Sequence, residues 1–234
     1  MSEQPTIILF ALFPGVTQLD FTGPHQVFSR LPNTQVLMAS TMGREITADG
    51  IVFGGLSKLA DVPSCDVICV PGGAGATDNA IADREFLNEL RRLAAKAQFV
   101  TSVCTGSLVL GAAGLLVGKR AACHWAWRTL LEPFGAISDE GRVVRDGNII
   151  TGGGVTAGID LALTVAAELA GPDVAQAIQL GIEYASAPPF YSGRPELAPP
   201  QILDLVQRRM STAAQQRRDA VRAAADRLVP RCEN

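Results

Sequence analysis

The chain has 234 residues, 47% of them hydrophobic and 18% charged, with a formal net charge of −3 and a pI near 5.4. That length fits one large domain or two small ones with a core that can be filled. The slight acidity argues against a broad attraction to phosphate backbones or anionic bilayers, so nucleic acid and membrane are set aside as partners. The N-terminal MSEQPTIILFALF carries no basic leader, and its apolar run is too short to cross a bilayer, which predicts a cytoplasmic location. Five cysteines, Cys65, Cys69, Cys104, Cys123 and Cys232, form no CxxC pair, and two histidines give no zinc pattern. In a reducing compartment they are expected as free thiols.

In chain order, segments 6–13, 35–41, 66–72 and 99–103 are apolar, rich in β-branched residues and short enough to be strands buried on both faces. Helical patterns at 19–31, 84–97 and 105–116 follow the first, third and fourth of them. This alternation predicts a parallel sheet wrapped by helices. KRAACH (119–124) reads as a continuation of the sheet, and 125–135 as a helix closed by Gly135. Residues 142–153 read as two strands around Asp146-Gly147, a peripheral hairpin. Residues 156–171 have helical spacing with Thr156 as N-cap and Gly171 as stop, and Pro172 opens another helix. Proline and glycine break all periodicity from 187 to 200. The expected organisation is an α/β domain over 1–200 and a helical extension over 201–234, packed on that domain or on a partner subunit. In that last basic helix Arg208, Arg209, Arg217, Arg218 and Arg222 alternate with Asp204, Asp219 and Asp226, which predicts a solvated or subunit-facing surface. One helix is too little for a helix-turn-helix module.

Cys104 sits in the string Ser-x-Cys-x-Gly at a strand-to-helix turn, a thiol version of the Gly-x-Ser-x-Gly nucleophile elbow. Small residues at 102 and 106 let the backbone segments approach. The start of the following helix is expected to favour the thiolate, the reactive form. Against this stands the usual fate of a free thiol, a buried core residue, which is how the other four cysteines are read.

A thiolate needs a proton donor or acceptor near the ends of other strands. Asp20, flanked by Leu19 and Phe21, would be desolvated and carry a raised pKa, although Thr17-x-x-Asp20 also fits a capping box. The glycines of PGGAG (71–75), with the N–H of Thr105, could hold an oxyanion, or simply make a tight turn. TGGGVTAG (151–158) is a second such turn but not a dinucleotide fingerprint. His124 could serve as a base, and as a lone histidine at a strand end it is more often structural. His25 reads as structural or site-lining.

The motifs VPGGAG, SVCTGS continuing into LVLGAAGLLVGKRA and HW, and TGGGVTAGID together resemble the ThiJ/PfpI group of the class I glutamine amidotransferase-like superfamily, over residues 6 to about 185. The stretches LFPGVTQLDFTGPHQVF, RVVRDGNIITGGGVTAGIDLAL and EYASAPPF are similar to enzymes of that group that hydrate isocyanides. The resemblance implies a doubly wound, mostly parallel, flavodoxin-like sheet sandwiched by helices, a homodimer, no metal and no organic cofactor. It implies Cys104 as nucleophile, Asp20 as general acid and base, and Thr105 as a site residue beside the thiol. The backbone around Gly72 and Gly73, and around Gly153, Val155 and Thr156, would line the pocket, with His124 a further candidate. The expected reaction adds water to an isocyanide, giving an N-substituted formamide through a cysteine-bound thioimidate. Alternatives are an enzyme of the same superfamily acting on small aldehydes, with His124 helping, and a non-catalytic sensor that oxidises Cys104. Peptidases of the group carry histidine directly after the cysteine, where this chain has Thr105.

Overall fold

The computed structural model describes residues 4–228. Strand β1 (Thr6–Leu12) leads into helix α1 (Gln18–Phe28) and strand β2 (Thr34–Ser40). A hairpin of β3 (Ile46–Ala48) and β4 (Ile51–Phe53) and a short β5 (Ser57–Lys58) precede β6 (Val67–Val70). Helices α2 (Ala76–Ala82) and α3 (Arg84–Ala94), strand β7 (Phe99–Val103) and helix α4 (Gly106–Ala112) follow. Then come β8 (Arg120–Ala122), a 3-10 helix (Arg128–Phe134), β9 (Ile137–Asp139), β10 (Val143–Asp146) and β11 (Ile149–Gly152). Helices α5 (Ala157–Ala170), α6 (Pro172–Gly181) and α7 (Pro200–Ala225) complete the described chain.

Seven strands form one sheet in the order β10-β11-β7-β6-β1-β2-β5, parallel throughout except for β10. Every residue of β6, β7 and β11 is buried, as a sheet covered on both faces requires. Right-handed crossovers fix the layers: β1-α1-β2 steps one way along the sheet and β6-α3-β7 the other, so α1 and α3 lie on opposite faces. Helix α5 packs on α1 and α6, while α4 packs on α2 and α3. The sheet is thus doubly wound, with its reversal between β1 and β6. An open α/β sheet places its ligand crevice at the strand ends beside that reversal.

Helix α3 shows why such layers are stable. Phe86, Leu87, Leu90 and Leu93 bury one stripe, and Asp83 caps the start by accepting the Phe86 N–H at 3.0 Å. Such a cap contributes about 1 kcal/mol.

The structure departs from the sequence expectation in several elements. Segment 119–124 does not extend the main sheet: β8 pairs in parallel with β9, because the free edge of β11 is taken by β10. Ala122 N–H instead donates to the Thr151 hydroxyl at 2.7 Å. The 142–153 hairpin is not peripheral, since β11 pairs with β7 and is fully buried. Residues 128–134 are 3-10 rather than α-helical, with Pro133 lacking an N–H and Gly135 at φ 73 closing the turn. Helix α4 stops at Ala112, well short of 116. Thr156 occupies the N-cap position of α5 but its side chain makes no capping bond. The β3-β4 hairpin turns at Asp49-Gly50, whose φ values of 48 and 81 are those of a primed turn.

Helix α7 directs Leu203, Val206, Met210, Ala213, Arg217, Val221 and Ala224 inward and packs on α2, α4 and the 3-10 helix. Arg217 is therefore not on a solvated face: it is 1% exposed. Cys232 lies outside the described residues, and no helix among those described is long and apolar enough to cross a membrane.

Candidate active site

Cys104 follows β7 directly and holds φ at +60, a left-handed conformation in which a non-glycine residue is strained. Its N–H is fixed between the carbonyls of Gly153 at 2.8 Å and Gly152 at 3.1 Å. The small flanking residues have separate causes. A Cβ at Gly106 would lie 2.2 Å from the Val70 carbonyl oxygen, so only glycine fits there. The Ser102 hydroxyl meets that of Ser107 at 2.8 Å, and Ser107 donates to the Ala122 carbonyl at 2.5 Å, tying the elbow to β8.

Asp20 arrives from the first turn of α1 and is 1% exposed. Its Oδ2 accepts the Gly72 N–H at 2.9 Å, while the buried Oδ1 has no hydrogen-bond partner. Thr17 makes no side-chain cap, which removes the capping-box reading. Burial pushes the Asp20 carboxyl up to about 7; the Gly72 N–H and the Cys104 thiol oppose this, and Asp49 adds repulsion. The Cys104 thiol is pushed up too, by burial first, then by Asp20 and Cys123, against the favourable Thr105 N–H. This corrects the expectation of a thiolate favoured by the helix start. Helix α4 has only seven residues, and burial beside a carboxylate outweighs its dipole. Burial therefore favours the neutral thiol of Cys104, with the Asp20 carboxyl beside it.

Gly72 and Gly73 turn out to hold the site rather than offer donors to an anion. The Gly72 N–H is occupied by Asp20, and the Gly73 N–H donates to the hydroxyls of Thr77 and Thr105, each at 3.0 Å. A Cβ at Gly72 would sit 2.5 Å from Thr105 Oγ1 and 3.0 Å from Asp20 Oδ2, so glycine lets the two close around it. The Thr105 and Thr77 hydroxyls are 2.7 Å apart, and Thr77 donates to the Gly73 carbonyl at 2.6 Å. The Thr105 main-chain N–H lies beside the Cys104 sulfur and favours charge there.

A cavity of about 260 Å³ opens on Cys104 and Thr105. Gly73, His124, Trp127 and Val155 form part of its lining. Helix α7 contributes Arg209, Met210, Ala213 and Arg217. Val155 thus reaches the thiol's cavity, whereas Gly153 and Thr156 line a larger neighbouring cleft of about 500 Å³ that includes neither Cys104 nor Asp20. Gly153 serves through its carbonyl, and Thr156 accepts from Arg142 at 3.0 and 3.2 Å. His124 lines both spaces. Burial and the cations of Arg217 and Arg128 lower its pKa to about 4, so it is neutral at pH 7, with Nδ1 accepting the Ala126 N–H at 3.3 Å. His25 packs its ring 6.1 Å from Phe10 and is no part of this cavity. Among the described residues no group of three or more His, Cys, Asp or Glu side chains is placed to hold a metal ion.

Sequence reasoning missed the groups that join α7 to the site. Arg217 Nε donates to Asp78 Oδ1 at 2.8 Å and Nη2 to the Gly73 carbonyl at 3.4 Å, with the guanidinium 4.6 Å from the Trp127 ring centre. Asp78 is 5% exposed, so this is a buried ion pair. The available signal was positional: Arg217 falls on the stripe marked by Met210, Ala213, Val221 and Ala224 at helical spacing.

The sequence pattern of the DJ-1/PfpI family matches residues 6–168. The chain belongs to the DJ-1/PfpI family. It is 50% identical over 220 residues to the isonitrile hydratase of Pseudomonas putida, covering 94% of this chain and 96% of that one. A crystal structure of a ThiJ/PfpI family protein from Pseudomonas syringae superposes with a TM-score of 0.89 at 37% identity, over 94% of this chain and 90% of that chain. Drosophila melanogaster DJ-1beta superposes with a TM-score of 0.68 at 25% identity, over 78% of this chain and all of its own. Within the DJ-1/PfpI family match lie β1, β6, β7 and the Cys104 turn, whereas α7 falls outside it.

Proposed function

We propose that the protein is an isocyanide hydratase, adding water to R–N≡C to give R–NH–CHO. The observation that carries this is the pairing of a strained, buried Cys104 with a carboxyl whose pKa is raised to about 7 and whose Oδ1 is unpartnered. Similarity at 50% identity to the isonitrile hydratase of Pseudomonas putida supports the same reading. Isocyanide carbon accepts a nucleophile and a proton at one atom, so a thiol beside a carboxylate is the minimum equipment.

Asp20 takes the thiol proton, and because Oδ2 is engaged by Gly72, that proton resides on Oδ1. The thiolate attacks the terminal carbon, and Asp20 returns the proton to the same carbon, giving the thioimidate Cys104–S–CH=N–R. Asp20, ionised again, takes a proton from water as its oxygen adds to that carbon and passes that proton to the nitrogen, giving Cys104–S–CH(OH)–NH–R. Collapse breaks the C–S bond, releases the formamide, and moves the hydroxyl proton through Asp20 to sulfur, returning Cys104 to the thiol. The Thr105 N–H stabilises charge on sulfur at the first and last steps. With the His124 pKa lowered to about 4 and that of Asp20 raised to about 7, the carboxylate is the stronger base of the two, which favours this reading over the aldehyde-directed alternative that relies on His124.

The protein acts in this reading as a cytoplasmic homodimer. Cys65, Cys69, Cys104 and Cys123 as free thiols support a reducing compartment. The exposed apolar side chains Leu180, Phe190, Tyr191, Leu197, Ile202 and Leu205 support a surface covered by a second copy. The reaction is tested by incubating the protein with an aryl isocyanide in oxygen-18 water and analysing the product by mass spectrometry. Formamide carrying the heavy oxygen is expected, and absence of formamide overturns the assignment.

A further inference from the structure

We infer that α7 is the wall that selects the isocyanide substituent, with Met210 and Ala213 setting the size of R and the buried Arg217–Asp78 pair holding the wall in place. This rests on the hydratase reading for the identity of the substrate. The groups that do the chemistry, Cys104, Asp20 and Thr105, all lie between residues 6 and 168, the span of the family match. The side of the same cavity formed by Arg209, Met210, Ala213 and Arg217 belongs to a helix that begins only at Pro200. Reaction centre and substituent wall are therefore built by different parts of the chain.

The Thr105 and Thr77 hydroxyls near the thiol hold each other and Gly73, and Arg217 is engaged at Nε and Nη2. Apart from Arg209, the cavity toward α7 presents the surface of Trp127, Val155, Met210 and Ala213, which suits an uncharged hydrocarbon substituent. The 260 Å³ of the cavity equals about eight or nine water volumes of ~30 Å³, room for one ring carrying the isocyanide group. Ala213 is the smallest side chain on that wall and sits one helical turn from both Met210 and Arg217, so enlarging it fills the ring's place. Met210 is an adaptable side chain whose truncation opens the same space.

The test compares kcat/KM for phenyl isocyanide and methyl isocyanide in wild type, Ala213→Phe, Ala213→Leu, Met210→Ala and, as a control on the exposed face of α7, Gln216→Phe. The phenyl-to-methyl ratio is expected to fall at least tenfold in Ala213→Phe, to fall less in Ala213→Leu, and to stay within twofold in Gln216→Phe. Met210→Ala is expected to raise kcat/KM for 2-naphthyl isocyanide at least threefold relative to phenyl. A second readout is independent of turnover: the ratio of Cys104 alkylation rates by N-phenylmaleimide and iodoacetamide, followed by peptide mass mapping, is expected to fall in Ala213→Phe and Ala213→Leu. If wild type hydrates no isocyanide but the alkylation ratio falls, the hydratase reading fails and the wall stands. Unchanged ratios in both assays for folded Ala213→Leu and Met210→Ala overturn the inference.

Discussion

On one side of the cavity Cys104 is held by main-chain groups: its N–H lies between two glycine carbonyls, and Gly106 presses against the Val70 oxygen. On the other side α7 is held by a side-chain ion pair between residues 139 positions apart. The first arrangement follows from a turn that only certain small residues permit, so it tolerates no change in backbone and is written into a short string. The second depends on two charges meeting in the interior, where each is costly alone and sustainable only together. Cys104 is thus positioned by steric necessity and the opposite wall by electrostatic pairing, and the two should break differently.

The largest structural effect is expected at the pair. Arg217→Met leaves Asp78 buried without its cation and should cost about 3–5 kcal/mol in urea unfolding. Replacing both residues, Arg217→Met with Asp78→Leu, should recover much of that loss. A single-mutant loss under about 1 kcal/mol would show that the pair does not hold the wall.

Asp20 sharpens the contrast from the other side. The folded chain keeps its proton up to about pH 7, whereas an ordinary aspartate loses it near 3.8, so stability falls as pH rises between those values. At about 1.4 kcal/mol per pH unit the cost above pH 7 is at most about 4 kcal/mol. Asp20→Asn should therefore melt higher than wild type at pH 8, with the gap closing toward pH 4, while losing most turnover. In wild type, kcat/KM should rise with pH through about 7 as Asp20 ionises beside the thiol; a flat profile from pH 5 to 8 would argue against the carboxylate as base.

Gly106→Ala should cost about 1–3 kcal/mol and reduce turnover, because its new methyl group must displace the Val70 carbonyl. Restored activity in that variant without loss of stability would show that the elbow is not sterically fixed. The smallest effect is expected at Arg208, on the same helix as Arg217 but 77% exposed in its pair with Asp204. Arg208→Ala should change stability by no more than about 0.5 kcal/mol.

The same division explains what could be read beforehand. The alternation of β-branched runs with helical stripes carries the doubly wound sheet, because two-sided burial restricts those strands to apolar residues. Ser102-x-Cys104-x-Gly106 marks the elbow for the steric reason given above, and Asp20 after β1 falls beside the reversal of strand order. Nothing local distinguishes Arg217 from Arg208, since both sit among charges on one helix and only the docked face of α7 separates them. The place of β11 inside the sheet was hidden because a hairpin reads alike at an edge or next to β7. The state of the thiol is not legible in the sequence because burial and a neighbouring carboxylate are tertiary facts, and they outweigh a short helix.

The most direct test is steady-state formation of the N-substituted formamide from an aryl isocyanide by wild type and by Cys104→Ala. The account predicts formamide from wild type and none above background from Cys104→Ala, with both proteins folded. Formamide from the alanine variant at a rate near wild type would contradict covalent catalysis by Cys104.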